Sequence, residues 1–192
     1  MSLPTTIHVV LPAWLPAAVD LSRSFASDED KMRLAIDLSR QNVDARTGGP
    51  FGAAVFGPDD RLVAVGVNAV VAQATSIAHA ETMALTLAQQ AERRPRLNRG
   101  ADDRPCGPYT LAASSQPCCQ CYGATVWAGI DRLLIGARTE DVAALTSFDE
   151  GPLPADWMGE LHRRGIEVVR DVCRDEAAVV LRSYTALGGA RY

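Results

Sequence analysis

The sequence has 192 residues, 47% hydrophobic and 22% charged, which is typical of one globular domain with a sizeable core. Its formal net charge of −4, with Lys31 as the only lysine, argues against nucleic acid as a partner, and no segment is long and apolar enough to cross a membrane. Five cysteines, three of them crowded between positions 118 and 121, favour a reducing compartment over a disulfide framework, so we expect a cytoplasmic protein.

The chain begins with an apolar arm, residues 1–27, which three prolines interrupt. The arm lacks the basic start of a signal peptide, so we expect it to pack on the domain surface or on a second subunit. Ser27 and Asp30 form a capping pattern that predicts a helix from about Asp28 to Asn42. We therefore place the main domain at residues 28–192.

Two strands and a helix follow this first helix. After a Gly-Gly-Pro breaker, Phe51 to Phe56 and Leu62 to Val67 are predicted to form an antiparallel pair joined by a tight turn. The next helix is expected from about Ala78 to Arg93. It carries His79 and Glu81 in its first turn.

Strands and helices alternate in the second half of the chain. The predicted strands are 109–113, 132–137 and 166–171, and the predicted helices are 118–128, 141–145, 155–164 and 174–187. This alternation predicts a three-layer α/β/α fold with a mixed sheet of about five strands. The arginine-rich segment 93–104 has no aromatic residues and has its own acidic ones, so we interpret it as a solvated connector.

Two short motifs carry metal chemistry. Cys118 and Cys121 are three residues apart at the start of a predicted helix, a spacing that lets both thiols bind one metal ion. With His79 as third ligand, a zinc ion keeps one tetrahedral position open for water, as catalytic sites do. Glu81 can lie beside that water without being a ligand. This pattern, H-x-E followed by P-C-x-x-C, is the known signature of zinc-dependent nucleobase deaminases.

The alternative is a structural metal site, or a histidine and cysteines that only fill the core. A structural zinc site needs a fourth ligand nearby, whereas Cys106 and Cys173 have no partner at metal-binding spacing. Neither alternative accounts for Glu81 or for the proline before Cys118. Cys119 lies between the two ligands, points elsewhere by register, and is expected to be a packing residue.

Together the motifs resemble the cytidine deaminase superfamily, in the branch that holds guanine deaminases and tRNA adenosine deaminases. The matching segments are Gly49-Pro50-Phe51-Gly52-Ala53, Asn68, His79-Ala80-Glu81 and Pro117-Cys118-x-x-Cys121. Phe148-Asp149-Glu150-Gly151-Pro152 and Trp157-Met158-Gly159 are similar to a bacterial guanine deaminase subgroup whose members also act on ammeline. Gln116 departs from the branch, which usually has Glu at this position.

The resemblance implies a hydrolytic mechanism that uses two carboxyl groups. Zinc activates a water molecule, and Glu81 moves the proton of that water to the ring nitrogen of the base. In guanine deaminases of this type, an acidic residue matching Glu150 protonates the leaving amine. Without the resemblance, Glu150 would be interpreted as an exposed loop carboxylate.

The resemblance also implies contacts with the base. Asn68 matches a residue that hydrogen-bonds the base, and the backbone of Ala80 matches a donor to it. Phe51 and Trp127 match aromatic residues of the purine pocket, and Tyr192 matches a terminal tyrosine that reaches an active site, often that of the partner subunit. From the residues alone, Asn68 is equally a turn residue, the aromatics belong to the core, and Tyr192 ends a disordered tail.

Three functions follow from this pattern. The first is hydrolysis of a free base in purine metabolism, guanine to xanthine and ammonia, with ammeline as a possible further substrate. The second is a different deaminase, either a tRNA-specific adenosine deaminase, which the negative charge disfavours, or a cytosine deaminase. The third is a non-catalytic interaction protein, disfavoured because Glu81 and all three ligands are present. We also expect a homodimer, because a tail hinged at Gly188-Gly189 can close its own site or that of a neighbour.

Overall fold

The computed structural model describes residues 3–190 and has a five-stranded sheet between two layers of helices. The strands are β1 (Gly52–Phe56), β2 (Leu62–Val67), β3 (Thr110–Ser115), β4 (Arg132–Ala137) and β5 (Glu167–Val169). The helices are α1 (Leu15–Ala18), α2 (Asp28–Asp44), α3 (Val70–Gln73), α4 (Ala80–Glu92), α5 (Cys119–Ala128), α6 (Thr139–Leu145), α7 (Trp157–Arg163) and α8 (Arg174–Ala186). The predicted three-layer α/β/α fold with a mixed sheet is confirmed.

The strand order explains where the functional loops meet. The strand order in the sheet is β2-β1-β3-β4-β5. Strand β1 is antiparallel to both β2 and β3, whereas β4 is parallel to both β3 and β5. The carboxyl ends of β2 and β3 and the amino end of β1 therefore lie at one edge of the sheet. Asn68, Gln116 and Phe51 directly flank these three strand ends.

Each face of the sheet covers its own hydrophobic core. On one face, α2, α6 and α8 bury side chains such as Ile36, Val142 and Leu181. On the other face, α4, α5 and α7 contribute side chains such as Leu85 and Leu161. Helices thus shield both faces of the sheet from water, which is why its central strands β1 and β3 are buried along their whole length.

Close contact between α4 and β2 depends on glycine. A β-carbon on Gly66 would lie 2.1 Å from the carbonyl oxygen of Ala80, the first residue of α4. Only glycine allows this approach. The contact sets the position of the amino end of α4 against the sheet, and with it the position of His79 and Glu81.

The structure differs from the predicted elements in small ways. Strands β2 and β4 have the expected bounds, whereas β5 has only three residues, all paired with β4. The short helix α1 interrupts the arm, where Pro16 occupies its first turn. The short helix α3 lies where a loop was expected. One helical turn is too short to produce a periodic hydrophobic pattern.

The described part of the arm packs on the domain at two places. Leu15 and Phe25 are buried in the core that α2 and α8 cover, and the Phe25 amide donates to the carbonyl oxygen of Asp60 at 2.9 Å. Leu3 and Ile7 are 83% and 81% exposed. Among residues 3–190, none of the helices has the length and apolar character needed to cross a membrane.

Candidate active site

The amino ends of α4 and α5 meet at the sheet edge where β2 and β3 end. His79 is the N-cap residue of α4 and Cys118 is the N-cap residue of α5, and both have an extended backbone. Both residues were expected inside the first helical turn, but each lies one position before the first residue of its helix. The extended N-cap conformation turns both side chains to the region between the two helices, where Cys121, in the first turn of α5, joins them.

The three ligand atoms have the spacing of a tetrahedral zinc site. The Nδ1 atom of His79 lies 3.5 Å from Cys118 Sγ and 3.6 Å from Cys121 Sγ, and all three atoms lie within 4.8 Å of one another. Tetrahedral angles with zinc–sulfur bonds of about 2.3 Å and a zinc–nitrogen bond of about 2.0 Å require a nitrogen–sulfur separation of ~3.6 Å. The residues therefore fit zinc, and the predicted zinc cofactor is confirmed.

The pKa values of the two cysteine thiols also favour the binding of a cation at this site. A hydrogen bond from Cys121 and another from His79 lower the pKa of Cys118 to about 4. The same contact with Cys118, together with burial, raises the pKa of Cys121 above its ordinary range. The hydrogen bond to Cys118 also raises the pKa of His79. Because adjacent thiolates repel each other, the second proton is retained until a cation replaces it.

Glu81 lies in the first turn of α4, next to this cluster. Glu81 is only 8% exposed. Burial, followed by the negative charge of Cys118, raises the pKa of Glu81 to about 7. A carboxyl group with a pKa near neutrality can both accept and return a proton at physiological pH.

A second carboxyl group, that of Glu150, also lines this region. Glu150 belongs to the loop between α6 and α7, and its carbonyl oxygen accepts a hydrogen bond from the Cys119 amide at 2.9 Å. Burial, followed by the negative charges of Glu81 and Cys118, raises the pKa of Glu150 to about 8. Glu150 is therefore largely protonated at neutral pH and can act as a proton donor.

The two carboxyl groups and the ligand cluster line one cavity of about 250 Å³. Phe51, Asn68, His79, Cys118 and Glu150 are predicted site residues in its wall. Asn68 is 1% exposed, and its carbonyl oxygen accepts a hydrogen bond from the side chain of Asn42 at 2.8 Å. The cavity has both a polar end and an aromatic wall, as required for binding a flat heterocycle.

Several residues of this wall were not predicted as site residues. Gln116 and Phe148 line the cavity, and Asn42 holds the loop of Asn68 from behind. Cys119 was expected to be a packing residue, but it is exposed and faces the cavity. The position of Cys119 in the helix correctly predicted that it is not a metal ligand. It could not show that the loop of Glu150 lies next to Cys119. Among these four residues, the sequence offered two signals: Gln116 departs from the Glu that the branch usually has, and Phe148 belongs to the segment that resembles the guanine deaminase subgroup.

Other predicted site residues lie elsewhere. Trp127 is 78% exposed near the end of α5 and is absent from the cavity wall, so the prediction that it lines the pocket is corrected for this chain. Its register turns the ring away from Cys121, which faces the ligand cluster. Ala80 is buried at the start of α4, and its proposed backbone contact with the base stays a prediction. Tyr192 lies outside the described residues.

The chain is similar to known deaminases in sequence. A family model described as the zinc-binding region of cytidine and deoxycytidylate deaminases matches residues 26–137. A probable cytosine deaminase from Schizosaccharomyces pombe is 32% identical over 155 residues, which cover 77% of this chain and 86% of the relative.

Solved structures extend the similarity to almost the whole chain. The guanine deaminase from Nitrosomonas europaea is 40% identical, with a TM-score of 0.86 over 97% of this chain and 100% of the other. The structure of NE0047 in complex with 2,6-diaminopurine is 42% identical, with a TM-score of 0.87 over 97% of this chain and 96% of the other. Both similarities cover 97% of the chain, whereas the family model ends at residue 137, before Glu150.

Proposed function

The chain belongs to the cytidine and deoxycytidylate deaminase family and is a zinc-dependent hydrolytic deaminase, and from this premise we propose that it converts guanine and water to xanthine and ammonia. The observation that carries this proposal is the cavity in which Glu81 and Glu150 flank the ligand cluster. The 40% identity to the guanine deaminase of Nitrosomonas europaea over nearly the whole chain supports guanine as the base.

In this proposal, His79, Cys118 and Cys121 hold the zinc ion. Zinc bound there makes a water molecule acidic enough to supply hydroxide near neutral pH. Glu81 takes a proton from water and delivers it to the ring nitrogen beside the carbon that carries the amino group. Its pKa of about 7 in the metal-free site suits this exchange, because a general acid or base is most effective when its pKa lies near the working pH.

Glu150 has the complementary role of an acid. The amino group must leave as ammonia, and it leaves readily only after it has gained a proton. Burial and the neighbouring negative charges raise the pKa of Glu150, to about 8 in the metal-free site, which favours the protonated form that can act as a donor, and Glu150 lines the cavity. The oxygen of the activated water would form a bond to the ring carbon, and the leaving nitrogen takes the proton of Glu150 as its own bond to that carbon breaks. The proton of the hydroxyl group left on the ring carbon then returns to Glu150, so that the products are xanthine and ammonia.

The base is proposed to bind between Phe51 and the polar wall. The ring of Phe51 can cover one face of a purine, and the buried Asn68 can hydrogen-bond its edge. The amide of Ala80, at the amino end of α4, is a further donor. A buried amide that pairs with a substrate edge can reject bases lacking the matching group by large factors.

The outer parts of the chain complete the proposal. We assign the arm, residues 1–27, as an addition to a catalytic domain spanning 28–192, and the C-terminal tail ending at Tyr192 as a closing segment. Such a tail can reach its own site or that of a second copy, which is why a cytoplasmic homodimer is proposed. Sedimentation equilibrium of the full chain tests the dimer, and deletion of residues 189–192 should raise KM for the base.

An ammonia-release assay tests the substrate. Zinc-loaded protein is supplied with guanine, ammeline, cytosine or adenosine-containing tRNA under the same conditions. We expect guanine to have the highest kcat/KM. Cytosine is the informative competitor, because the Schizosaccharomyces pombe relative is a probable cytosine deaminase. A higher kcat/KM for cytosine than for guanine would overturn the proposed substrate while leaving the zinc chemistry intact.

A further inference from the structure

Three aromatic rings connect the cavity to the C-terminal helix. Phe148 lies between Phe51, at a ring-centre distance of 5.3 Å with an edge-to-face geometry, and Tyr184 of α8, at 5.9 Å in a stacked geometry. Phe51 and Phe148 line the cavity, whereas Tyr184 lies behind them and is 9% exposed. Phe148 is also only two residues before Glu150, so its ring supports the chain that carries the second carboxyl group.

Hydrogen bonds also hold the loop of Glu150. Its far side is held by the bond from the Cys119 amide to the carbonyl oxygen of Glu150 and by a turn in which the Gly151 amide donates to Asp149 Oδ1 at 2.9 Å. On its near side, the Phe148 amide donates to Thr146 Oγ1 at 3.3 Å. Packing of the Phe148 ring is therefore one of the contacts that fix the position of the Glu150 carboxyl group, two residues further along the chain.

The C-terminal tail lies against the same tyrosine. The Tyr184 hydroxyl donates to the carbonyl oxygen of Ala190 at 2.6 Å, and the Gly189 amide donates to the carbonyl oxygen of Tyr184 at 3.0 Å. A β-carbon on Gly189 would lie 2.2 Å from the Tyr184 ring, so only glycine lets the tail cross the ring this closely. Tyr184 thus contacts the tail through one part of its ring and Phe148 through another.

From these contacts we infer that Tyr184 is a positioning residue that couples docking of the C-terminal tail to the placement of Glu150 in the cavity. This inference rests on the proposed role of Glu150 in guanine deamination. Docking of Gly189 and Ala190 holds the Tyr184 ring, the ring seats Phe148, and Phe148 fixes the loop that carries Glu150. Tyr184 itself does not line the cavity and acts only through Glu150.

A purely structural role for Tyr184 makes a different prediction. A buried ring that only stabilises the fold would, when removed, lower the amount of folded protein while leaving kcat per zinc ion unchanged. A positioning role lowers kcat per zinc ion, since displacement of a catalytic group by about 1 Å can cost on the order of 100-fold. KM should rise no further than it does on deletion of residues 189–192, because Asn68 and Phe51 keep their places.

The first experiment measures kcat and KM per bound zinc for Tyr184→Leu, with Tyr109→Leu as the matched control. Tyr109 is another buried tyrosine, 3% exposed, at the opposite end of β3. We expect Tyr184→Leu to lower kcat by about tenfold, with a KM no higher than that of the chain that lacks residues 189–192. Tyr109→Leu should keep kcat per zinc ion. Equal kcat in wild type and Tyr184→Leu would overturn the inference.

A double-mutant cycle tests whether Tyr184 acts through Glu150. In the Glu150→Gln background, Tyr184→Leu should cause no further fall in kcat, because the group that it positions is already disabled. Independent, multiplying effects of the two substitutions would contradict the inference while leaving Glu150 its role. Wild-type kcat in Glu150→Gln alone would instead refute the proposed role of Glu150, and the inference with it.

Gly189→Ala tests the tail without touching the tyrosine. Its β-carbon forces the tail from the ring, so we expect a fall in kcat of about threefold, smaller than for Tyr184→Leu, and faster proteolysis at the C-terminus. Tyr184→Phe, which loses only the bond to Ala190, should have a similar effect, and the two together should not multiply. Faster proteolysis with unchanged kcat in Gly189→Ala would contradict the coupling, even if Tyr184→Leu failed to fold.

Discussion

The two sides of the cavity are built in different ways. The metal side, with His79, Glu81 and the two cysteine ligands, lies on the amino ends of α4 and α5, which are fixed against the sheet. The side of Glu150 is a loop held by a few hydrogen bonds and by the Phe148 ring. The family model matches the first side and ends before the second. The part that the family model matches thus lies on the ends of packed helices, whereas Glu150 lies on a loop beyond that match.

The largest effect is expected on the metal side. Cys118→Ala and Cys121→Ala should each lose zinc and nearly all turnover, since removal of a ligand leaves the site with two donors. Cys119→Ala is the matched control in the same helical turn and should keep stoichiometric zinc. Zinc content by atomic absorption, measured with ammonia release, checks this. Loss of zinc in Cys119→Ala with retention in Cys118→Ala would show that the ligand assignment is wrong.

The next effect separates zinc binding from proton transfer. Glu81→Gln should keep its zinc, because Glu81 is not one of the three ligands, yet it should lose about 10²–10⁴-fold in kcat, the usual contribution of a positioned general acid or base. Steady-state kinetics per bound zinc measures the loss. Near wild-type turnover in this variant would remove Glu81 from the mechanism.

A smaller effect is expected on the loop side, and it depends on pH. Deamination requires protonated Glu150, so kcat should fall as pH rises through the pKa of this group, at about 8 in the metal-free site and lower with zinc nearby. Glu150→Gln should lower kcat at neutral pH and lose this alkaline limb, with little change in KM. A kcat profile from pH 5 to 10 checks both. An unchanged alkaline limb in Glu150→Gln would assign it to another group.

The smallest effect concerns stability without metal. Glu150 has a pKa raised from 4.5 to about 8 in the folded chain, so the folded state binds its proton more tightly than the unfolded state. The stability that this proton contributes is fully present below about pH 4.5 and is lost as pH rises through about 8. In chelator-treated protein, urea unfolding should show a steeper loss of stability over this range in wild type than in Glu150→Gln. Equal slopes would show that Glu150 titrates normally.

The same contrast explains what the sequence could predict. The pairing of Cys118 with Cys121 follows from local spacing at a helix start, because a few consecutive residues determine that geometry. His79 and Glu81 were added to the pair through the known deaminase signature, since no local pattern brings residue 79 to residue 118. Glu150 was found only through a resemblance, since no local pattern brings residue 150 to residue 118. Phe148 and Tyr184 are 36 positions apart and meet through tertiary folding alone. Trp127 was wrong for this chain because the family match fixed a helix but not the side chain's outward register.

The central claim is that a zinc site and a protonated Glu150 act together on guanine. The most direct test is single-turnover conversion of guanine to xanthine by zinc-loaded wild type and Glu150→Gln at pH 7, with enzyme in excess. We predict rapid, stoichiometric release of ammonia by wild type and a rate at least about tenfold lower for Glu150→Gln at equal zinc content. Equal rates in the two proteins, or no xanthine from zinc-loaded wild type, would contradict the claim.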